Sequence, residues 1–435
     1  MRALEEWRTD GDPRVFPYAS VVDAYQLVGK HFVERELLTS LAELRDDLPT
    51  LRGAARDREL LTRFLDLALD KWDGRYDYQT YLALDLLLGP ADTPLLGPAD
   101  TSDRQEHTSG QRDRLTVQLI ADILTFELDA EEGRTDRLPL MRPDTRTVAK
   151  RCRLGIRAAG PALTRLGLAD PADTVARTVQ DGMSEQTRGL CRTVHGDTRP
   201  EERRRLTLSM LPAYTVHDEY LFIRVLQCFE LTFALLAEHL AAAVEGIDGH
   251  QPLVAAARID AATTGLREAA PLFSLLATMS IEAFHAFRCY TEGASAIQSR
   301  GYKTMESLCR EPDPDRVESA AFHSVPEVRT RVLAGMPSLD SAFRSADAAG
   351  RMTPATRDIV GQAMEGFSAA LVQWRKTHYR LAARMLGETR SGTGYTEGVP
   401  YLREARSVPV FREVPGESGG RCPVGAPSAP PSHGD

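Results

Sequence analysis

The sequence is sparing with several residue types and patterns, and each gap removes a class of protein. Cysteine is rare, with six in 435 residues, at positions 152, 191, 228, 289, 309 and 422. No two of them form C-x-x-C, which excludes a zinc ribbon, a thioredoxin-type motif and covalent c-type haem attachment. Several of them sit in apolar helical settings, which points to reduced core thiols and a cytoplasmic protein. No run approaches ~18 uninterrupted apolar residues, so no membrane span is expected. The opening MRALEEWRTDGDPRVF lacks the apolar stretch of a secretory signal. Lysine is nearly missing, five against 48 arginines, which we read as coding bias and not as an arginine-rich binding surface. A net charge of −9 argues against a protein that grips a nucleic-acid backbone. The densest basic run, RPEERRRL at 199–206, reads as a solvated helix face.

Strand signals are also scarce. Long windows carry helical periodicity and are rich in Ala, Leu, Glu and Arg, so an all-α fold is expected. Composition is otherwise that of a globular chain, 42% hydrophobic and 26% charged. LLGPADTP followed by LLGPADTS (87–102) is a tandem octapeptide of turn-forming residues and predicts a loop. Further helices are predicted in RLTVQLIADILTFELDAEEG and DTVARTVQDGMSEQTRGLCRTV, from 217 onward, through EAAPLFSLLATMSIEAFHAF (268–287), and over about 354–386. The last twenty residues, rich in Gly, Pro and Ser, predict a disordered tail.

Few residues in this pattern could carry chemistry. HDEYLFIRVLQCFELTF (217–233) starts an amphipathic helix with a histidine that could be catalytic or only structural. In the last helix Val360, Met364, Phe367, Leu371, Trp374, His378, Leu381 and Met385 share one face. His378 therefore sits among apolar side chains, either as a core histidine or as an imidazole ligand to haem iron. Spacing does not choose between them. SGTGYTEG (391–398) has three glycines in eight residues and reads as a plain loop or one that approaches a ligand. Arg288 closes an apolar helix, as a surface residue or as a carboxylate clamp.

Taken together these stretches resemble the tryptophan 2,3-dioxygenase family. The resemblance rests on five ordered motifs: Tyr78, Tyr81, Leu82, Leu84 and Asp85; His217, Asp218, Glu219, Leu221, Phe222 and Ile223, with Gln227, Glu230, Leu231 and Phe233; Phe287, Arg288, Ser295, Gln298 and Ser299; Trp374, Arg375 and His378; and Gly392, Thr393 and Gly394. It implies an all-helical bundle that binds haem b without a covalent link, uses O2 and assembles as a homotetramer. By that likeness His378 is the proximal iron ligand, with Trp374 and Ala296 beside the haem. Arg288 pairs with the carboxylate of a small aromatic amino acid and Thr393 meets its amino-acid end. Phe284 and Phe222 wall the ring, and Ser295 lies near a propionate and the substrate. Tyr78 and Tyr81 reach a neighbouring subunit's pocket, and His217 fixes a helix start.

The implied reaction adds O2 across the indole C2–C3 bond of tryptophan or a derivative, giving an N-formylkynurenine-type product. Several departures bear on it. Leu226 stands where the family has a distal histidine, and leucine can accept neither a proton nor a hydrogen bond. Ala296 and Tyr395 replace glycines, and Ala382 rather than Cys follows His378 by four. Asp85 and His217 are separated by roughly 130 residues where the family has a short connection. The expected layout is an N-terminal helical segment (1–88) contributing pocket residues, a helical insertion (89–213), an oxygenase core (214–415) and a tail (416–435). Three alternatives follow: a haem mono-oxygenase or hydroxylase of a modified tryptophan or other aromatic amino acid, a haem sensor without turnover, and a helical protein that binds no haem.

Overall fold

A computed structural model describes residues 2–50, 54–88, 102–168, 180–387 and 399–412. Among these residues there is no strand, only one isolated bridge between Leu140 and Val216, so the fold is all-α. The N-terminal layer holds α1 (Arg2–Asp10), α2 (Tyr18–Val28), α3 (Arg35–Asp47) and α4 (Ala55–Ala68). Two short helices follow, α5 (Tyr78–Tyr81) and α6 (Leu84–Leu88). Then come α7 (Ser102–Glu131), α8 (Thr145–Arg165), α9 (Gln180–Asp197) and α10 (Pro200–Leu208). The long α11 (His217–Asp248) is followed by α12 (Pro252–Glu268), α13 (Ala270–Leu276), α14 (Ile281–Arg288) and α15 (Arg300–Cys309). Short helices α16 (Pro314–Val317), α17 (Ala320–His323), α18 (Pro326–Leu333) and α19 (Leu339–Ala348) lead to the 33-residue α20 (Pro354–Leu386) and α21 (Val399–Ser407).

Local chemistry explains the boundaries. Thr353 caps α20 by accepting the Thr356 N–H, Pro354 sits at the first turn, and Gly387 ends the helix at φ +79. Asp77 and Thr80 form a capping box that stabilises the four-residue α5. The apolar run at 268–287 reads as one helix, but the chain breaks it at Ala277–Ser280, and α14 leaves at 94° to the α12–α13 pair. The cause is Ser280, whose hydroxyl accepts the Ala283 N–H and starts a new helix. This bend carries α14 back across α11.

One hydrophobic core joins α7, α8 and α9 to α11, α12, α13, α15, α19 and α20, through residues such as Ile120, Leu124, Cys152, Val225, Leu236, Ile259 and Phe367. The stretch predicted as an insertion therefore shares its interior with the rest of the protein. Burying a leucine of this kind is worth roughly 2–5 kcal/mol against alanine. α11 is long and apolar enough to cross a membrane, yet most of it is buried inside the protein as the central helix. A second core gathers α1–α4 with Leu208 and Leu211. It docks tightly: a Cβ on Gly29 (φ +84) would stand 2.6 Å from Tyr214 Cα and 2.7 Å from the Ala213 carbonyl oxygen.

Candidate functional site

α11, α13, α14, α15 and α20 enclose a cavity that α5 and α21 close at its sides. Its lining includes His378, Trp374, Phe222, Leu226, Phe284, Arg288, Ser295, Ala296, Tyr78 and Tyr81. Every described residue that the resemblance assigns to the haem or the substrate thus borders one space. Thr393, with Gly392, Gly394 and Tyr395, lies outside the described residues, as do the tail and most of the octapeptide loop. His217 does not line the cavity. Its buried ring stacks on Phe126 (4.7 Å between centroids) and its Nε2 lies 3.3 Å from Glu127 Oε2.

α11 supplies the apolar wall. Phe222, Leu226, Phe229, Glu230 and Phe233 recur at three- and four-residue steps, so one helix face meets the cavity. Phe222 packs edge-on to Phe284 (5.9 Å) and against Phe287 (5.2 Å), which joins this face to α14. Leu226 is part of this wall and offers no polar group itself; the carboxyl on this face is that of Glu230, one turn further along.

The resemblance puts Tyr78 and Tyr81 in a neighbouring subunit's pocket; here both stand on the wall of the chain's own cavity. The reason is Gln298, whose Oε1 accepts the backbone N–H of Tyr78 (3.0 Å) and of Ser295 (3.1 Å). That clamp ties α5 to the Ser295 turn. The Tyr78 hydroxyl then donates to Glu230 Oε1 (3.2 Å) and the Tyr81 hydroxyl to Glu219 Oε1 (3.3 Å). Burial pushes the Glu230 carboxyl up to about 7, against the Ser299, Tyr78 and Gly301 donors that favour its charge. Burial likewise raises Glu219 to about 8, although Glu219 accepts the Ala213 and Tyr214 N–H groups. Glu230 was not among the predicted site residues. Its place eight residues after Phe222 puts it on the same helical face, and that spacing was the available signal.

His378 is half-buried on α20, with Phe273 stacked at 6.3 Å and Trp374 at 5.2 Å. Burial alone drives its pKa down to about 4, so the imidazole is neutral and keeps a nitrogen lone pair. Among the described residues nothing is hydrogen-bonded to the ring. The nearby Trp374 Nε1–H is buried and meets no acceptor among the described residues. On the polar side, Lys303, Arg375 and Arg406 also line the cavity. Lys303, Arg316 and Arg375 converge on Glu306, at 3.4, 2.9 and 3.7 Å. Burial opposes its charge, but these cations hold the Glu306 carboxyl down to about 2.

Among the described residues no group of three or more His, Cys, Asp or Glu could hold a bare metal ion. A haem needs only one protein ligand to its iron, an apolar slot, and cations for its propionates. The residues present fit: a neutral imidazole facing a mostly apolar cavity, with cations held at one side and an unsatisfied indole donor beside it.

Fold and site together define an all-helical protein with a ligand cavity suited to haem. The comparisons with known proteins make the relation specific. The chain is 27% identical over 232 residues to the tryptophan 2,3-dioxygenase of Anaeromyxobacter sp. (strain K), covering 47% of this chain and 87% of that protein. It is 26% identical over 236 residues to the tryptophan 2,3-dioxygenase of Bordetella pertussis (strain Tohama I), covering 47% and 83%. It is 27% identical over 251 residues to that of Xanthomonas euvesicatoria pv. vesicatoria (strain 85-10), covering 49% and 84%. No family model matches the chain. The chain is a divergent relative of the tryptophan 2,3-dioxygenase family. About half of its length falls outside the match.

Proposed function

We propose that the protein is a haem-dependent oxygenase of the tryptophan 2,3-dioxygenase type, acting on tryptophan or a tryptophan derivative. The observation that carries this reading is one mostly apolar cavity bordered by both a neutral imidazole, His378, and a guanidinium, Arg288. When bound, the haem would supply activation of O2 and its addition to the indole C2–C3 bond. His378 would hold the iron, non-covalently because Ala382 offers no thiol. Lys303, Arg375 and Arg406 would face the propionates, and Ser295, Ala296 and Trp374 would complete the surroundings. Arg288 would bind the carboxylate of the amino acid, with Thr393 at its amino-acid end. Phe222 and Phe284 would wall the ring and exclude water. Assembly as a homotetramer in the cytoplasm, and a division into a 214–415 core and an 89–213 elaboration, belong to the same reading.

Leu226 favours a second reading. An indole N–H set against this wall has no acceptor at that position, and a polar group buried without a partner costs about 1–3 kcal/mol. A substrate whose ring nitrogen is substituted or absent avoids that cost. The second reading is a haem mono-oxygenase or hydroxylase of such an aromatic amino acid.

The deciding experiment is aerobic incubation of the haem-loaded protein with L-tryptophan, followed by product mass. A gain of two oxygens supports the dioxygenase. One oxygen, or turnover only with N-substituted or non-indole amino acids, supports the second reading. Haem binding with no O2 consumption for any aromatic amino acid would overturn both and leave a sensor. Arg288→Ala should raise KM about 30-fold or more, because a buried carboxylate pair is lost. An unchanged kcat/KM would remove Arg288 from the clamp.

A further inference from the structure

Behind the cavity wall, three elements meet at one buried cation. Arg151, on α8, is fully buried. Its Nη1 donates to Glu127 Oε1 of α7 (2.7 Å), and its Nη2 to Asp218 Oδ1 at the start of α11 (2.6 Å). Its Nε donates to the Thr278 hydroxyl (3.0 Å), in the bend between α13 and α14. The other Asp218 oxygen, Oδ2, accepts the Ser280 N–H (3.1 Å). Ser280 is the residue whose hydroxyl caps α14. Each of the three nitrogens of one guanidinium thus donates to a different element.

What these bonds hold is the bend that aims α14. Leu276 and Met279 border the cavity within or beside that bend, and Phe284, Phe287 and Arg288 border it from α14 itself. The same stretch of chain, α7 to α10, grips the start of α11 a second time. Leu140 accepts the His217 N–H (2.9 Å) and donates to the Thr215 carbonyl (3.1 Å), while Leu138 and Met141 take left-handed φ values of +45 and +58. Left-handed backbone at non-glycine residues costs free energy and persists where the surroundings enforce it. Val216, the residue before α11, offers no side-chain cap, so these backbone bonds and Asp218 fix the helix start.

We propose that Arg151 is a positioning residue for the cavity: through Asp218 and Thr278 it sets the bend before α14, and so the places of Phe284 and Arg288 on the substrate wall. The stretch predicted as an insertion is then a built-in part of the site and not an appended module. The effect on substrate rests on the function proposed above; the effect on α14 does not.

The test uses the full chain with Arg151→Lys, which keeps a buried positive charge but loses the three-way fork. Thr278→Val serves as a second variant, because it leaves both ion pairs intact. Hydrogen–deuterium exchange is measured on the wild type and on each variant, without added ligand. Exchange across 276–288 is expected to quicken about tenfold in Arg151→Lys and less in Thr278→Val, with α20 unchanged. No change at 276–288, or an equal rise throughout α20, overturns the proposal. The haem-loaded proteins are then titrated with L-tryptophan, following the Soret shift. The dissociation constant in Arg151→Lys should weaken about tenfold while haem occupancy stays the same. A loosened α14 with unaltered tryptophan affinity would overturn the substrate part. A wild type that shows no Soret band or no tryptophan response would sink the proposed function instead, and the exchange result would still decide the role of Arg151.

Discussion

Two buried charge networks flank the cavity, and they are built on opposite plans. On the α7–α8 side one cation, Arg151, serves two carboxylates, Glu127 and Asp218, with the His217 ring beside them. None of these four residues lines the cavity. On the α15–α20 side one carboxylate, Glu306, serves three cations, and two of these, Lys303 and Arg375, do line it. The first arrangement is sealed and fixes geometry. The second holds positive charge at the cavity edge, where an anionic ligand group would find it already positioned. Their positions thus separate the structural task from the ligand-facing one.

Breaking the sealed network should have the largest effect. Arg151→Met leaves two buried carboxylates without their cation, and urea unfolding should show a loss of about 3–5 kcal/mol. Glu306→Gln should cost less, about 2–3 kcal/mol, because water entering the cavity can hydrate the released cations. If the two losses were reversed in size, the contrast between sealed and ligand-facing networks would fail.

The pH profile sharpens the comparison further. Glu306 is held at about 2, and Glu127 is held below its usual value because Arg151 and His217 outweigh the burial that would raise it. For both, the folded state binds protons less readily than the unfolded chain, so their contribution is present at neutral pH and is lost as pH falls below the ordinary carboxylate range. Glu230 and Glu219 have the opposite sign. Raised to about 7 and about 8, they bind protons more readily in the fold, so stability falls as pH climbs from the ordinary carboxylate range through those values. Thermal melts should therefore peak on the mildly acidic side, and Glu230→Gln should flatten the alkaline limb alone. An alkaline limb unchanged in that variant would remove Glu230 as its cause. The smallest effect belongs to the surface. Arg192 and Glu185 pair at 2.8 Å with most of both side chains in solvent, and Arg192→Ala should shift stability by no more than about 0.5 kcal/mol.

The parts of this architecture that were legible in the sequence are those with local signals. α20 spans 354–386 as its periodicity predicts, because Thr353, Pro354 and Gly387 mark its ends chemically. The face bearing Trp374 and His378 follows from helical spacing alone. The bend at 277–280 was hidden by an unbroken apolar run, although Ser280 ahead of Ile281 is a capping signal. α7 extends back through polar residues to Ser102, well before its apolar stretch begins. Tyr78 and Tyr81 stand in the chain's own cavity because of Gln298, a partner 220 positions from Tyr78. Arg151 left no trace in its own neighbourhood, since its partners lie 24, 67 and 127 positions away. Local pattern carries helix limits and faces; it does not carry which buried charges meet.

The central claim is that this cavity holds haem on His378. The most direct measurement is the absorption spectrum of the purified protein after loading with haem and reduction, beside that of His378→Ala prepared the same way. The wild type should show a Soret band that the variant loses while remaining folded by circular dichroism. An identical Soret band in both proteins, or none in either, would contradict the claim.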